Sequence, residues 1–328
     1  MSKLVTIYGG AGFVGRYIAR RMAKQGWRVR VACRRPNEAL FVKPYGAPGQ
    51  VEPVFCNIRD DASVRAVMQG ADAVVNCVGT FQRMGKNNLN AVQAEGAGRI
   101  ARIAAELGVD RLVHISAIGA AEDGPSIYCR TKAAGEKAVR GAFPAAMILR
   151  PSVIFGQEDG FFNKFGGMAA LMPVLPIAKG GTKLQPVFVD DVAQAAVKGV
   201  LGEAPAGVYE LGGPEVDSLS GLIKRMLGVI QRRRLVLPVP AFVMKTIAFG
   251  GDMVEAATMG LVTNRLITRD QLNTLGPANV VAPGAKGLAD LGIQPTPMEG
   301  VLPEYLWRFR PSGQYAAIKA SAKNLKKA

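Results

Sequence analysis

Apolar residues along the chain fall into short β-branched runs separated by longer amphipathic stretches. Residues 4–8, 28–33, 51–56, 73–78 and 111–116 read as strands with nearly continuous apolar character. Between them, residues 13–25, 63–68 and 90–107 read as helices. Further strands are expected at 146–149, 185–189 and 208–211, with helices at 126–141 and 191–201. A strand with one solvated face alternates polar and apolar residues; a strand covered on both faces does not. Unbroken apolar strands alternating with helices therefore predict a parallel sheet with helices on both sides. The alternation stops after Pro214. The remainder of the chain is helix-like, broken by Pro238, Pro240, Pro277, Pro295 and Pro303, with a polar basic tail from Pro311. The prediction is an α/β chain: a Rossmann-type doubly wound parallel sheet over residues 1–215, then a smaller, mostly helical, basic C-terminal lobe and tail over 216–328.

Composition narrows the class without choosing a function. Of 328 residues 49% are hydrophobic and 20% charged, which excludes disordered and collagen-like chains. The net charge is +16, and residues 1–215 and 216–328 each carry +8 of it. The second stretch is about half as long as the first, so its charge is about twice as dense. Such an excess suits nucleic acid, an anionic membrane, a phosphorylated cofactor or an acidic protein partner. Cys33, Cys56, Cys77 and Cys129 lack the clustering of a disulfide framework or zinc site, and are expected to be reduced thiols with core roles. His114, the single histidine, lies in the apolar run 112–115 and is expected in the core, so no metal site is predicted. The first apolar run begins at Leu4 and leads straight into a glycine turn, so no targeting segment is expected. The uncharged apolar stretch 165–178 is too short to cross a bilayer and contains Pro173 and Pro176.

Candidate chemistry begins between the first strand and the first helix. Gly9, Gly12, Phe13, Val14 and Gly15 form a glycine loop that satisfies GxxGxxG, and Gly10 gives GxGxxG with Gly12 and Gly15. Glycines permit the tight turn, the close backbone approach to a pyrophosphate and the packing of helix on sheet. The N–H groups at the helix start then attract phosphate. At the end of the second strand stand Arg34 and Arg35, with no carboxylate before Glu38. Two guanidiniums there favour a 2′-phosphate and hence NADPH over NADH. Asn57 and Ile58 would lie beside the adenine, and Val78 and Gly79 would line the same crevice.

On the opposite side, Ser116 ends the fifth strand, and Tyr128 and Lys132 are one turn apart on the next helix. The lysine would lower the phenol pKa so that Tyr128 acts as acid or base on a carbonyl held by Ser116. Alternatively Lys132 holds the nicotinamide ribose, Tyr128 packs beside it, and nothing turns over.

Taken together these residues resemble the short-chain dehydrogenase/reductase superfamily in its extended or atypical branch, over about residues 1–215. The motifs at 149–156, including Pro151 and Val153, at 185–193 and at 209–214 add to the likeness. A narrower resemblance covers 132–140, 142–144, 150–152, 154–159 with Phe162 and Asn163, and 267–271. These segments look like the family of NADPH-binding accessory subunits of respiratory complex I. That resemblance implies a firmly held structural NADPH, other complex I subunits as partners and a place near the membrane. For a bacterial member this means a peripheral position on the cytoplasmic face of the inner membrane. The competing expectation is a free NADPH-dependent reductase or epimerase with Tyr128 as acid/base.

The C-terminal third offers Arg232, Arg233 and Arg234, an apolar stretch over 242–259 with Phe242, Ile247 and Phe249 at helical spacing, and Tyr305, Trp307 and Phe309 among Arg308 and Arg310. The tail adds Lys319, Lys323, Lys326 and Lys327. No nucleic-acid recognition motif accompanies these charges, so nucleic acid is not expected. Docking on a protein assembly or an anionic lipid surface is preferred.

Overall fold

The computed structural model describes residues 2–240, 243, 246, 249 and 269–315. The apolar stretch 242–259, apart from residues 243, 246 and 249, and the tail beyond residue 315 lie outside the described residues.

The central sheet is built from β1 (Leu4–Tyr8), β2 (Arg28–Cys33), β3 (Val51–Phe55), β4 (Ala73–Asn76), β5 (Arg111–Ile115), β6 (Met147–Pro151) and β11 (Gly207–Leu211). All seven run parallel in the order β11-β6-β5-β4-β1-β2-β3. Every residue of β1 and β4 is buried, as continuous apolar strands covered on two faces require. One face packs on α1 (Phe13–Lys24) and α6 (Val189–Leu201). The other packs on α2 (Asp61–Met68), α3 (Gly96–Glu106) and α4 (Ile127–Ala142). Side chains fix where two of these helices begin: Asp60 accepts from Ser63 N at 3.0 Å, and Ser126 from Cys129 N at 3.1 Å.

The helix expected over 90–107 opens with a π-helical stretch, Asn90–Glu95, before α3. Close packing accompanies it: a Cβ at Gly135 on α4 would sit 2.2 Å from the Gln93 carbonyl oxygen. The strand expected at 185–189 shortens to β10 (Val187–Phe188), because α6 already begins at Val189.

A second layer lies over α5 (Phe162–Leu171) and α7 (Leu219–Val229), with β8 (Val174–Ala178) paired in parallel to β13 (Leu235–Val239). Short strands β7 (Ile154–Phe155), β9 (Lys183–Leu184) and β12 (Asp217–Ser218) complete its hydrogen-bonded edges. α8 (Arg269–Thr274) and α9 (Met298–Leu306) come last. β8 and most of α5 fall in the uncharged stretch 165–178, where no element was expected. The lobe core joins Phe155, Phe162, Leu175 and Leu184 to Leu222, Met226, Leu302 and Leu306, while Leu288, Leu291 and Ile293 pack into the sheet core. Residue 215 thus marks the end of the sheet rather than the start of the lobe, because the two cores exchange chain segments.

Candidate functional site

Successive strands deliver the predicted residues to one edge of the sheet. β1 runs into Gly9, β2 into Arg34, β3 into Asn57, β4 into Val78, β5 into Ser116 and β6 toward Val153. The chain reverses winding direction between β1 and β4, and crevices at such a switch point are where doubly wound sheets take ligands.

The glycine loop sits at that reversal. Gly9 has φ +75° and donates its N–H to the Ala32 carbonyl at 2.9 Å, tying the loop to β2. A Cβ on Gly15 would lie 2.4 Å from Gly9 O and 2.6 Å from Gly10 Cα, so helix and loop touch backbone to backbone. Gly12 caps α1 without a side-chain acceptor, and no carboxylate stands in the first turn. The helix start is therefore open to an anion in the way its dipole favours. Phe13 meets Tyr17 edge-on at 6.2 Å, and Val14 packs on the sheet core.

On the adenine side Arg34 and Arg35 are both exposed. Arg35 pairs with Glu38 at 3.1 Å, while Arg34 has no partner among the described residues. Cys56 N donates to Cys33 O at 2.9 Å, which brings the Asn57 loop alongside these arginines. Asn57 holds that loop: its N–H donates to Ser63 Oγ at 2.9 Å, and its Oδ1 accepts from Arg59 N at 3.2 Å. Ile58 packs against Gly96, where a Cβ would approach within 2.9 Å. Asn76 Oδ1 accepts the Val78 N–H at 3.0 Å, shaping the turn before the exposed Gly79.

On the other side Ser116 is 3% exposed, and its hydroxyl has no partner among the described residues. Lys132 is buried and donates Nζ to the Ile115 carbonyl at 3.0 Å, one residue before Ser116. Tyr128 stacks on Phe81 with ring centroids 5.1 Å apart. The surroundings of this pair run against the lowered phenol pKa expected of it. Burial lowers the Lys132 pKa to about 8, and burial, with Cys129 nearby, pushes the Tyr128 phenol up rather than down. Low dielectric disfavours both the ammonium and the phenolate, and this outweighs any help the lysine gives the tyrosine. Pro151 is buried and its carbonyl accepts from Ile118 N at 3.0 Å; Val153 packs on the lobe core.

Several buried groups lie beneath the site. His114 is buried as expected, its Nδ1 meeting Asn76 Nδ2 at 3.1 Å while Nε2 has no partner among the described residues. Burial lowers its pKa to about 3. Gln93 joins the loop after β4 to α4, donating to Thr80 O at 2.7 Å and accepting from Thr131 Oγ1 at 3.0 Å. Arg150 grips the buried Glu136 with two hydrogen bonds of 2.9 and 2.7 Å and lies 3.6 Å from Glu210. Among the described residues, no group of three or more His, Cys, Asp or Glu side chains is arranged to hold a metal ion.

Part of the basic excess of the lobe is engaged internally. Arg234 Nε donates to Ala169 O at 2.8 Å in the last turn of α5, and Arg310 Nε to Val229 O at 2.9 Å at the end of α7. These are positions where a helix end favours a cation. Arg232 Nε donates to Phe309 O at 2.7 Å, and Arg308 to Asn163 Oδ1 at 2.5 Å. No helix among the described residues is long and apolar enough to cross a membrane.

The NAD dependent epimerase/dehydratase family model matches residues 5–212. The chain is 33% identical over 316 residues to the mitochondrial NADH dehydrogenase [ubiquinone] 1 alpha subcomplex subunit 9 of Arabidopsis thaliana, covering 94% of this chain and 79% of that one. It is 32% identical over 194 residues to a ceramide reductase of Caulobacter vibrioides, covering 59% of this chain and 60% of that one. The Bordetella bronchiseptica enzyme WbmH, solved in complex with NAD+, superposes with a TM-score of 0.69 at 18% identity, over 95% of this chain and 100% of that one, and shows a shared fold. The seven-stranded sheet, the glycine loop at its winding reversal and the two family matches agree: the chain belongs to the NAD dependent epimerase/dehydratase family, among the relatives of the alpha subcomplex subunit 9.

Proposed function

We propose that this chain is a non-catalytic accessory subunit of respiratory complex I that holds NADPH as a structural group. In this reading it docks through its basic C-terminal lobe, residues 216–328, on other complex I subunits and on an anionic membrane surface. Its place is peripheral, on the cytoplasmic face of a bacterial inner membrane. The observation that carries the reading is the reach of the likeness: the subunit 9 relative aligns over 94% of the chain, through the lobe, whereas the ceramide reductase aligns over 59%. A cofactor site explains a likeness in the sheet; a shared docking role explains one in the lobe as well.

The residues at the sheet edge fit the nucleotide. Gly9, Gly12, Phe13, Val14 and Gly15 would cradle the pyrophosphate, with Asn57 and Ile58 beside the adenine and Val78 and Gly79 beneath the ribose. Arg34 and Arg35 would take the 2′-phosphate, and their exposed guanidiniums support NADPH over NADH. Lys132, Pro151 and Val153 would border the nicotinamide. When bound, the group would bring hydride chemistry to the side where Tyr128 and Ser116 stand. With its phenol pushed up by burial, Tyr128 is suited to packing more than to losing a proton near neutral pH. On the lobe, Lys224, Arg232, Arg233 and Leu235 border an open cleft of about 810 Å³. Exposed Leu235 and Leu237 lie on β13, and exposed Leu171 ends α5. Basic rims around apolar side chains suit anionic headgroups.

The test is affinity purification from native membranes at low salt in mild detergent, followed by denaturation and identification of the released nucleotide. Co-purifying respiratory subunits and NADPH are expected. A monodisperse monomer would overturn the assembly role, and NADH alone would overturn the choice of nucleotide.

A second reading, a free NADPH-dependent reductase or epimerase, is favoured by the ceramide reductase likeness and by the Ser116 hydroxyl, which has no partner among the described residues. It requires substrate-dependent NADPH oxidation that disappears in Tyr128→Phe. Nucleotide that stays reduced across a broad carbonyl panel removes it.

A further inference from the structure

The helix that carries Tyr128 and Lys132 is held at its start by a residue from the far end of the chain. The first N–H groups of a helix have no partner within it. In α4, Cys129 N donates locally to Ser126 Oγ at 3.1 Å. The two preceding amides donate to one carboxylate: Ile127 N to Asp270 Oδ1 at 2.7 Å and Tyr128 N to Asp270 Oδ2 at 3.2 Å. Asp270 is 8% exposed, and its carboxylate lies at the positive end of the helix.

Asp270 belongs to α8, and α8 is fastened to the lobe. Leu272, 1% exposed, packs with Ala178 of β8 and Val239 of β13. Thr182 Oγ1 donates to Leu275 O at 2.7 Å just beyond the helix. One turn inside α4, Lys132 meets the Ile115 carbonyl beside Ser116. A continuous run of contacts thus leads from the β8–β13 layer through Leu272 and Asp270 to Tyr128 and Lys132.

We propose that Asp270 is a positioning residue through which the lobe sets how firmly the site holds its nucleotide. The proposal rests on the nucleotide reading of the glycine-loop crevice. Displacing the β8–β13 layer moves α8, withdraws the carboxylate and frees the first turn of α4. Fixing α4 with bound nucleotide steadies α8 in return, since coupling between two sites acts equally in both directions. The surface expected to dock and the pocket expected to hold the nucleotide are then two ends of one device.

The experiment compares full-length Asp270→Ala, Asp270→Asn and Ser126→Ala by NADPH titration, with circular dichroism to establish folding. Asp270→Ala is expected to weaken NADPH binding about tenfold, a usual size for such coupling. Asp270→Asn should fall between, because an amide oxygen still accepts one of the two bonds. Ser126→Ala weakens the same helix end without touching the lobe and should change affinity less than about threefold, a local cap loss. In the reverse direction, NADPH should slow amide exchange over 270–274 in the wild type and do so less in Asp270→Asn. Equal weakening by Ser126→Ala, or unchanged affinity in Asp270→Asn, overturns the coupling; the latter decides the matter even if Asp270→Ala fails to fold. A wild-type chain that binds neither NADPH nor NADH refutes the nucleotide reading, and the coupling falls with it. Intact wild-type binding with unaffected Asp270 variants refutes the coupling alone.

Discussion

Removing Glu136 should cost more stability than removing any carboxylate on the surface. Its side chain is 1% exposed and accepts both hydrogen bonds from Arg150, whose own side chain is 23% exposed. In Glu136→Ala the guanidinium keeps its charge and loses its bidentate partner, retaining Glu210 at 3.6 Å. Breaking a buried pair from one side costs about 3–5 kcal/mol. Partial exposure of Arg150 and the second carboxylate place this case near the lower end, about 3 kcal/mol. At roughly 2 °C per kcal/mol for a large chain, the melting temperature should fall by about 6 °C. Urea unfolding of Glu136→Ala, Arg150→Ala and the double variant gives the coupling energy directly. A value near 2 kcal/mol is expected for residues in one buried network. Coupling below about 0.5 kcal/mol, the range of exposed pairs, would refute the reasoning.

Gly15→Ala should both destabilise the fold, by about 1–3 kcal/mol, and abolish nucleotide retention, because its Cβ would meet fixed backbone at 2.4 Å; thermal melting and NADPH fluorescence check the two effects. His114, with its pKa lowered to about 3 by burial, stays neutral in the fold but gains a proton near pH 6.5 when unfolded. Its contribution to stability is therefore present above pH 6.5 and lost as pH falls from 6.5 toward 3. The wild type should lose urea resistance over that window more steeply than His114→Gln, and equal slopes would contradict the burial argument. Tyr305 donates its hydroxyl to the buried Asp159 at 2.5 Å, so Tyr305→Phe should cost about 1–3 kcal/mol at neutral pH. An unfolding midpoint unchanged from wild type would contradict that bond.

Features readable in advance share one property: their cause lies within a few residues of chain. The bounds of β1 and β2 match those expected, since continuous apolar character and the adjoining loop define a strand locally. The glycine loop was legible for the same reason, because the close approach of Gly15 to Gly9 spans six positions. The environment of Tyr128 and Lys132 was not. One helical turn is a local fact, but burial enough to raise the phenol and lower the ammonium comes from Phe81, Ile115 and their neighbours, brought in from other elements. α5 and β8 were missed because an uncharged run with two prolines shows neither period clearly; their pairing with β13 and packing on α7 give them their form.

By itself, the sequence determined the order of the central-sheet strands and of the helices that cover them, the position of the phosphate-sized loop and the uneven spread of positive charge. Tertiary structure alone decided which charges face outward and which are consumed inside. Arg34 has no partner among the described residues, while Arg150 is held against the buried Glu136, and Arg234 and Arg310 close helix ends. It alone brought Asp270 to the helix of Tyr128 across 143 positions of chain. The physical reason is that secondary structure arises from neighbours a few residues apart, whereas desolvation and hydrogen-bond pairing are set by whatever the fold brings near.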